Sequence, residues 1–232
     1  MTPELSLPIQ TAWLIPLYGF IGMLVSLPWA CGLFRRDAHR PAAYLNILLT
    51  LLAFAHGSLI LQEVYQSGPV DLAFPWLSVA DLELNISFSL SLTNLVALEL
   101  ITGLSLLSQV YSLGYMDKEW ALARFFALLG FFEGAMSGVV LSDSLFQSYF
   151  LLEMLTLSTY LLVGFWYAQP LVVTAARDAF LTKRVGDVLL LMGVVALCSY
   201  SGVMGFNDLY AWAAQDTLSP LAATLLLSLI HI

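Results

Sequence analysis

Hydrophobic and polar positions in this chain fall into long apolar blocks separated by short polar ones. Six blocks reach the ~20 residues that a helix rising ~1.5 Å per residue needs to cross ~30 Å of hydrocarbon. They run near residues 10–33, 42–65, 88–112, 121–142, 145–167 and 179–203, and a seventh begins near 218. Each block predicts a helix, because an isolated strand in lipid leaves its backbone polar groups unpaired. Pro16 and Pro28 fall inside the first block and predict kinks, whereas Pro41 opens the second, where a missing N–H does no harm. Residues 66–87 change period. Val70 to Phe74, Pro75-Trp76 and Val79 to Ile86 alternate roughly every second residue, which predicts a short hairpin on the lumenal membrane surface.

Charge supports the same count. Arg35, Arg36 and Arg40 lie between the first two blocks, and Lys118 and Arg124 between the third and fourth. Arg177, Lys183 and Arg184 lie between the fifth and sixth or at the start of the sixth. The alternate loops carry only acids, namely Asp71, Asp81, Glu83, Asp143, Asp208 and Asp216. By the positive-inside rule the basic loops face the cytoplasm and the N-terminus faces the lumen or periplasm. Most Trp and Tyr residues fall near block ends, where interfacial aromatic belts sit.

Composition then excludes several classes. The 232 residues are 60% hydrophobic and 10% charged, against about 25% charged in a soluble domain. The lipid bilayer is the expected surrounding, with no sizeable soluble domain. The absence of a basic patch argues against a nucleic-acid partner. Cys31 and Cys198 lie far apart in apolar blocks and read as packing residues, with neither metal spacing nor a disulfide. There is no Gly-rich phosphate loop, CxxC pair, metal cluster or Ser/His/Asp set, so no cofactor or metal is expected to be bound by this chain. The first block has no basic leader or small-residue cleavage site and reads as a span. The chain ends inside an apolar run whose last residues, Ser228 to Ile232, resemble translated read-through; a fragment is the expected reading.

Ionisable groups at membrane depth are the candidates for chemistry, since burying a charge there costs roughly 2.5–3.5 kcal/mol on insertion scales. Glu153 leads. It lies mid-block with no cation on its own helix, and must be paired, protonated or hydrated. Proton relay and a structural hydrogen bond are its two readings. Arg184 and Asp187 stand three apart on one helical face, able to pair with each other as an anchor or to serve a relay. Glu133 and Glu99 sit in the middles of the fourth and third helices, either as proton carriers or as neutral acids satisfied by Ser105, Ser108 or Ser137. His56 titrates near neutral pH when unperturbed but reads equally as a packing residue. Gly114, Gly164 and Gly186 read as close-packing points.

Several strings carry a family resemblance: Tyr111-Ser-Leu-Gly-Tyr-Met116, Arg124-Phe-Phe126, Glu153 followed by Ser158 to Tyr167, Asp178 to Asp187, and Phe206-Asn-Asp-Leu209. In order and spacing they resemble subunit 5 of respiratory complex I. This is the antiporter-like subunit called L in bacteria and F in the cyanobacterial and chloroplast plastoquinone-linked enzyme. The resemblance implies an all-α integral membrane protein, a polytopic helix bundle of antiporter-like fold. About six transmembrane helices would be complete here and a seventh truncated. It implies three parts: 1–112, the first three helices with the hairpin; 113–217, the start of the proton-translocating module; and 218–232, the truncated seventh helix.

The resemblance further implies a proton-translocating membrane-arm subunit of an NAD(P)H- or ferredoxin-driven quinone oxidoreductase. Its partners would be neighbouring antiporter-like subunits of the membrane arm. Glu153 matches the family's fifth-helix proton-path glutamate, and Arg184 to Asp187 match its Arg-Val-Gly-Asp motif. The glutamate's lysine partner would lie on the seventh helix, beyond this chain. There are departures. The family's Trp-Glu-Gly-Val-Gly is here Leu152-Glu-Met-Leu-Thr156, Lys183 precedes Arg184, and Glu99 and Glu133 are not general family features. These resemble the divergent cyanobacterial F paralogues, which implies a thylakoid or plasma membrane, carbon dioxide uptake and a CO2-hydration partner. A free-standing Mrp-type cation/proton antiporter subunit and a structural scaffold are the rival readings.

Overall fold

The computed structural model describes residues 6–33, 40–79, 82–214, 220 and 224. Apart from residues 220 and 224, the expected seventh helix, with His231 and the odd C-terminus, lies outside the described residues, as do Arg35 and Arg36.

A one-turn helix α1 (Leu7–Gln10) leads into α2 (Leu14–Ala30). Pro16 sits in the first turn of α2, where no intrahelical N–H is lost, so it does not interrupt the helix as the sequence suggested. Pro28 is interior but only two residues from the end, and Gly32 at φ 77° follows. Next come α3 (Arg40–Ser67), the strands β1 (Val70–Val79) and β2 (Leu82–Leu90), and α4 (Leu92–Tyr115). The chain continues through α5 (Leu122–Leu141), α6 (Leu145–Val163), α7 (Pro170–Ser201) and α8 (Phe206–Ala213).

Four of these helices, α3 to α6, are long and apolar enough to cross a membrane, and the chain is a membrane protein. Helix α2, at 17 residues, spans about 26 Å. Helix α7 differs from the sequence expectation. It begins at Pro170 and runs 32 residues without a break, about 48 Å. Arg177, Lys183 and Arg184 are therefore residues of one long helix and not of a loop before it.

Helix α5 is the central element. It packs on α2, α3, α4 and α6, while α7 packs on α6. The result is a four-helix bundle, α2 to α5, with α6 and α7 added outside α5. The contact of α2 with α5 is backbone to backbone. A Cβ on Gly130 would lie 2.9 Å from the Gly19 carbonyl oxygen, and one on Gly134 2.8 Å from that of Pro16. Small residues spaced four apart permit such approach in lipid, where dispersion and not water exclusion holds helices together. The glycines named from the sequence are not these. Gly114 has nothing within 4 Å of its Cβ position, and Gly164 makes ordinary contact with Ala176 at 3.5 Å. The repeat Gly130-x-x-x-Gly134-x-x-x-Gly138 was the available signal.

Helix α4 presents Val96, Leu100, Leu104, Leu107 and Tyr111, all exposed, at the three- and four-residue steps of one helix face. At one end the antiparallel hairpin, bulged between Pro75 and Leu77, covers the bundle. Phe88 of β2 bridges to Ser142, and Asp143 N–H donates to Ser87 O at 3.1 Å. On the other side Phe206 N–H donates to Asp143 O, also at 3.1 Å. The α5–α6 turn is thereby held from both flanks, which sets the depth of α6.

Candidate functional site

Glu153 stands eight residues past the start of α6, at the middle of the helix. Its Oε2 accepts from Arg184 of α7, and its Oε1 accepts from the Tyr149 hydroxyl at 2.7 Å, one turn earlier. Both carboxylate oxygens are thus occupied by donors, one of them cationic. The side chains are 20% and 37% exposed, so the pair lies at the α6–α7 face and not within the four-helix core. The Arg184 guanidinium also covers the Phe180 ring at 4.7 Å.

Among the described residues the cation facing Glu153 is Arg184, while the lysine that the resemblance implied lies outside them. Arg184 does not pair with Asp187, as helical spacing had allowed. A donor three residues along the same helix was the nearer partner in sequence, but the α6 carboxylate lies across the interface at Arg184's own level. Asp187 instead is buried beside Thr156 of α6, with its Oδ2 unpartnered. Tyr149 and Thr156 are participants that sequence reasoning passed over. Their spacings from Glu153, four before and three after, place them on its helix face and were the legible clue.

Glu133 is fully buried on α5. Its Oε2 accepts from the Thr50 hydroxyl of α3 at 2.9 Å, and Thr50 in turn accepts from Gln109 Nε2 of α4 at 2.8 Å. The serines expected to satisfy the acids do not. Ser137 Oγ has no partner, and neither do Glu133 Oε1 and Gln109 Oε1. Glu99 accepts from Ser58 of α3 at 2.9 Å. Its other oxygen lies 2.6 Å from where a Gly57 Cβ would be. His56 leaves this line; its Nε2 lies 3.1 Å from Pro8 O and 3.3 Å from Thr11 Oγ1, tying α3 to α1.

Helix α3 is therefore the polar spine of the bundle. It sends Asn46 to α2, Thr50 to α4 and α5, His56 to α1 and Ser58 to α4. Asn46 donates to Gly22 O and Ala42 O at 3.1 Å each and to Ser26 Oγ. The structure does not join this spine to Glu153 by any direct side-chain hydrogen bond among the described residues. Two polar centres result: an ion pair at α6–α7, and a neutral-donor network around Glu133.

Comparison with known proteins fits this geometry. Residues 76–126 match the family NADH-Ubiquinone oxidoreductase (complex I), chain 5 N-terminus. Residues 142–232 match the transmembrane family of NADH:quinone oxidoreductase and Mrp antiporters. A subunit of the membrane-bound sulfane sulfur reductase, an archaeal respiratory membrane complex, superposes with a TM-score of 0.79 over 95% of this chain and 43% of its own. At 16% identity it attests the fold alone. The fold and the family match together define an antiporter-like membrane protein.

Within that class the chain belongs to the complex I chain 5 family. It is 73% identical over 228 residues to NAD(P)H-quinone oxidoreductase subunit 5, organellar chromatophore 2, of Paulinella chromatophora, covering 97% of this chain and 37% of that protein. It is 32% identical to the chloroplastic subunit 5 of Agrostis stolonifera, covering 93% of this chain and 30% of the relative. The chain spans about a third of the length of the curated relatives it matches.

Proposed function

We propose that this chain serves as a proton-translocating membrane-arm subunit of an NAD(P)H- or ferredoxin-driven quinone oxidoreductase. The observation that carries this reading is the Glu153–Arg184 ion pair at mid-helix between α6 and α7. A carboxylate there is compensated by one movable cation. When charge rearrangement in the complex draws the guanidinium away, a proton replaces it as the compensating charge. When the guanidinium returns, the proton leaves, and uptake and release on opposite faces give net transport. Tyr149, on the other oxygen, orients the carboxyl and stands as the neighbouring hydroxyl for a proton to pass through. Asp187 is the next acid on the same interface. Glu133 on α5, Glu99 on α4 and His56 on α3 are further candidates for the proton path.

The same reading places the N-terminus and the hairpin on the lumenal or periplasmic side and the Arg40 end in the cytoplasm. It places the protein in a cyanobacterial-type thylakoid or plasma membrane beside antiporter-like neighbours. The altered Leu152-Glu-Met-Leu-Thr156 surround and the extra acids Glu99 and Glu133 favour the carbon dioxide uptake form, with a CO2-hydration partner. Glu153→Gln in the full-length subunit, reconstituted in its complex, tests the proposal: protons moved per quinone reduced should fall. An unchanged ratio would leave Glu153 a structural residue.

A second reading is a free-standing cation/proton antiporter subunit, favoured by the family description shared with Mrp antiporters. Purification from the native membrane separates the two. Quinone-reducing subunits accompany the chain in the first case and are missing in the second.

A further inference from the structure

Four described arginines can be compared. Arg40, Arg177 and Arg184 each form an ion pair, with Asp117, Asp178 and Glu153. Arg124 forms none among the described residues. It lies in the first turn of α5 and is held by aromatic rings, with its guanidinium carbon 4.6 Å from the Phe165 ring centre, 4.8 Å from that of Tyr167 and 5.8 Å from that of Trp120. One of its N–H groups, on Nη2, donates to the Phe165 carbonyl, which ties α5 to the end of α6. The Nε–H finds no acceptor. A guanidinium carries five donors, so this single bond leaves most of them uncommitted.

Two cavities adjoin, with Arg124 and Tyr167 forming part of both. One, of about 240 Å³, is bounded by Trp29, Trp120, Ala121 and Ala123. It therefore lies against the N-terminal turn of the 20-residue helix α5, whose N-cap Ala121 supplies no side-chain acceptor. The other, of about 320 Å³, is apolar and runs between α6 and α7 along Leu128, Leu161, Val173 and Ala176. A cation with no carboxylate partner among the described residues, beside a Trp- and Tyr-rimmed cavity continued by an apolar one, matches the two ends of an amphiphile. The rings also belong at the depth where headgroups lie.

We infer that Arg124 binds the phosphate of an anionic glycerophospholipid, with the start of an acyl chain in the adjoining α6–α7 cavity. The guanidinium fork suits a phosphate, and the first-turn amides of α5 add donors of the same sense. A free phosphate shares the headgroup chemistry but leaves the apolar cavity without a role.

The test uses the complete complex carrying the full-length subunit, purified in mild detergent, with retained phosphatidylglycerol counted by native mass spectrometry. Arg124→Gln should lose one anionic phospholipid relative to the unaltered complex. Leu161→Trp, which fills the apolar cavity and leaves Arg124 in place, should lose the same one, and it decides the matter if the arginine variant fails to assemble. Excess inorganic phosphate should not displace that lipid. Equal retention in both variants would overturn the proposal and leave Arg124 a brace for Phe165. Displacement by inorganic phosphate would overturn it too, in favour of a plain anion site.

Discussion

Gly19 of α2 and Gly134 of α5 meet with no side chain between them: a Cβ on Gly19 would stand 2.4 Å from the Gly134 amide nitrogen. The core of the bundle rests on this crossing, and the polar side chains of α3 are aimed by it. Asn46, for example, has its Oδ1 2.5 Å from the Cβ positions of both Gly22 and Gly130, so it fits only because neither has a side chain.

Adding a side chain at the crossing should separate the helices. Gly134→Val would press on Pro16 O and Phe20 N at 2.8 and 3.0 Å, and backbone atoms cannot swing aside. A loss of roughly 1–3 kcal/mol is expected, the range for overpacking. It is read as a lower melting temperature or a smaller yield of assembled complex. Gly114→Ala is the control, and with open space around it stability should hold or rise by about 0.5–1 kcal/mol. Equal effects from the two would contradict the close crossing.

The ion pair predicts non-additivity. Removing one partner of an enclosed pair strands the other and costs up to about 3–5 kcal/mol, with less here because Arg184 is 37% exposed. Arg184→Gln should therefore destabilise more than the double variant Arg184→Gln with Glu153→Gln. A thermal-unfolding double-mutant cycle on the complex reads the difference, and additive losses would mean that the two charges do not depend on each other.

At Glu133 the shape and the charge can be separated. Glu133→Gln keeps an acceptor for the Thr50 hydroxyl and should assemble normally. Glu133→Leu removes it and leaves the Thr50–Gln109 bond without a terminus, at a cost of about 1–3 kcal/mol for a stranded buried polar group. Normal assembly of Glu133→Gln with reduced proton translocation would assign Glu133 a transport role beyond the structural one. Translocation equal to the unaltered protein would confine it to structure.

Asp143, in the α5–α6 turn outside the spans, carries a pH signature. Burial, and then the charges of Asp71 and Asp208, hold its pKa above that of an ordinary Asp. A carboxyl that keeps its proton more tightly when folded stabilises the fold in acid. That contribution is lost as pH rises through the folded pKa. Asp143→Asn should therefore leave stability in acid nearly unchanged and raise it at neutral pH. Amide hydrogen exchange at Asp143 and Phe206, whose N–H groups bond to Ser87 and Asp143, reads this locally. A variant with the same acid-to-neutral slope as the unaltered protein would refute it.

Periodicity and charge were enough to place most of the helices, the hairpin and the candidate acids, because crossing lipid demands long apolar runs and self-contained backbone pairing whatever the tertiary packing. The start of α7 was not legible: Pro170 opens a helix that continues through charged residues, and hydropathy alone cuts such a helix short. Nor was the partner of Arg184. Helical spacing ranks Asp187 as the nearer acid, but which carboxylate a long side chain meets depends on how α6 and α7 are set in depth and rotation. The turn at Ser142–Ser144, held between the hairpin and α8, sets that depth.

From the chain alone came the membrane setting and the acid at the centre of α6, both matters of residue type and interval along one element. Only the folded bundle decided that Glu153 faces a guanidinium within this chain, that Thr50 and Gln109 serve Glu133, and that Arg124 alone among the described arginines lacks a carboxylate. Those are relations between helices, and no period within a single helix encodes how far its neighbour is turned.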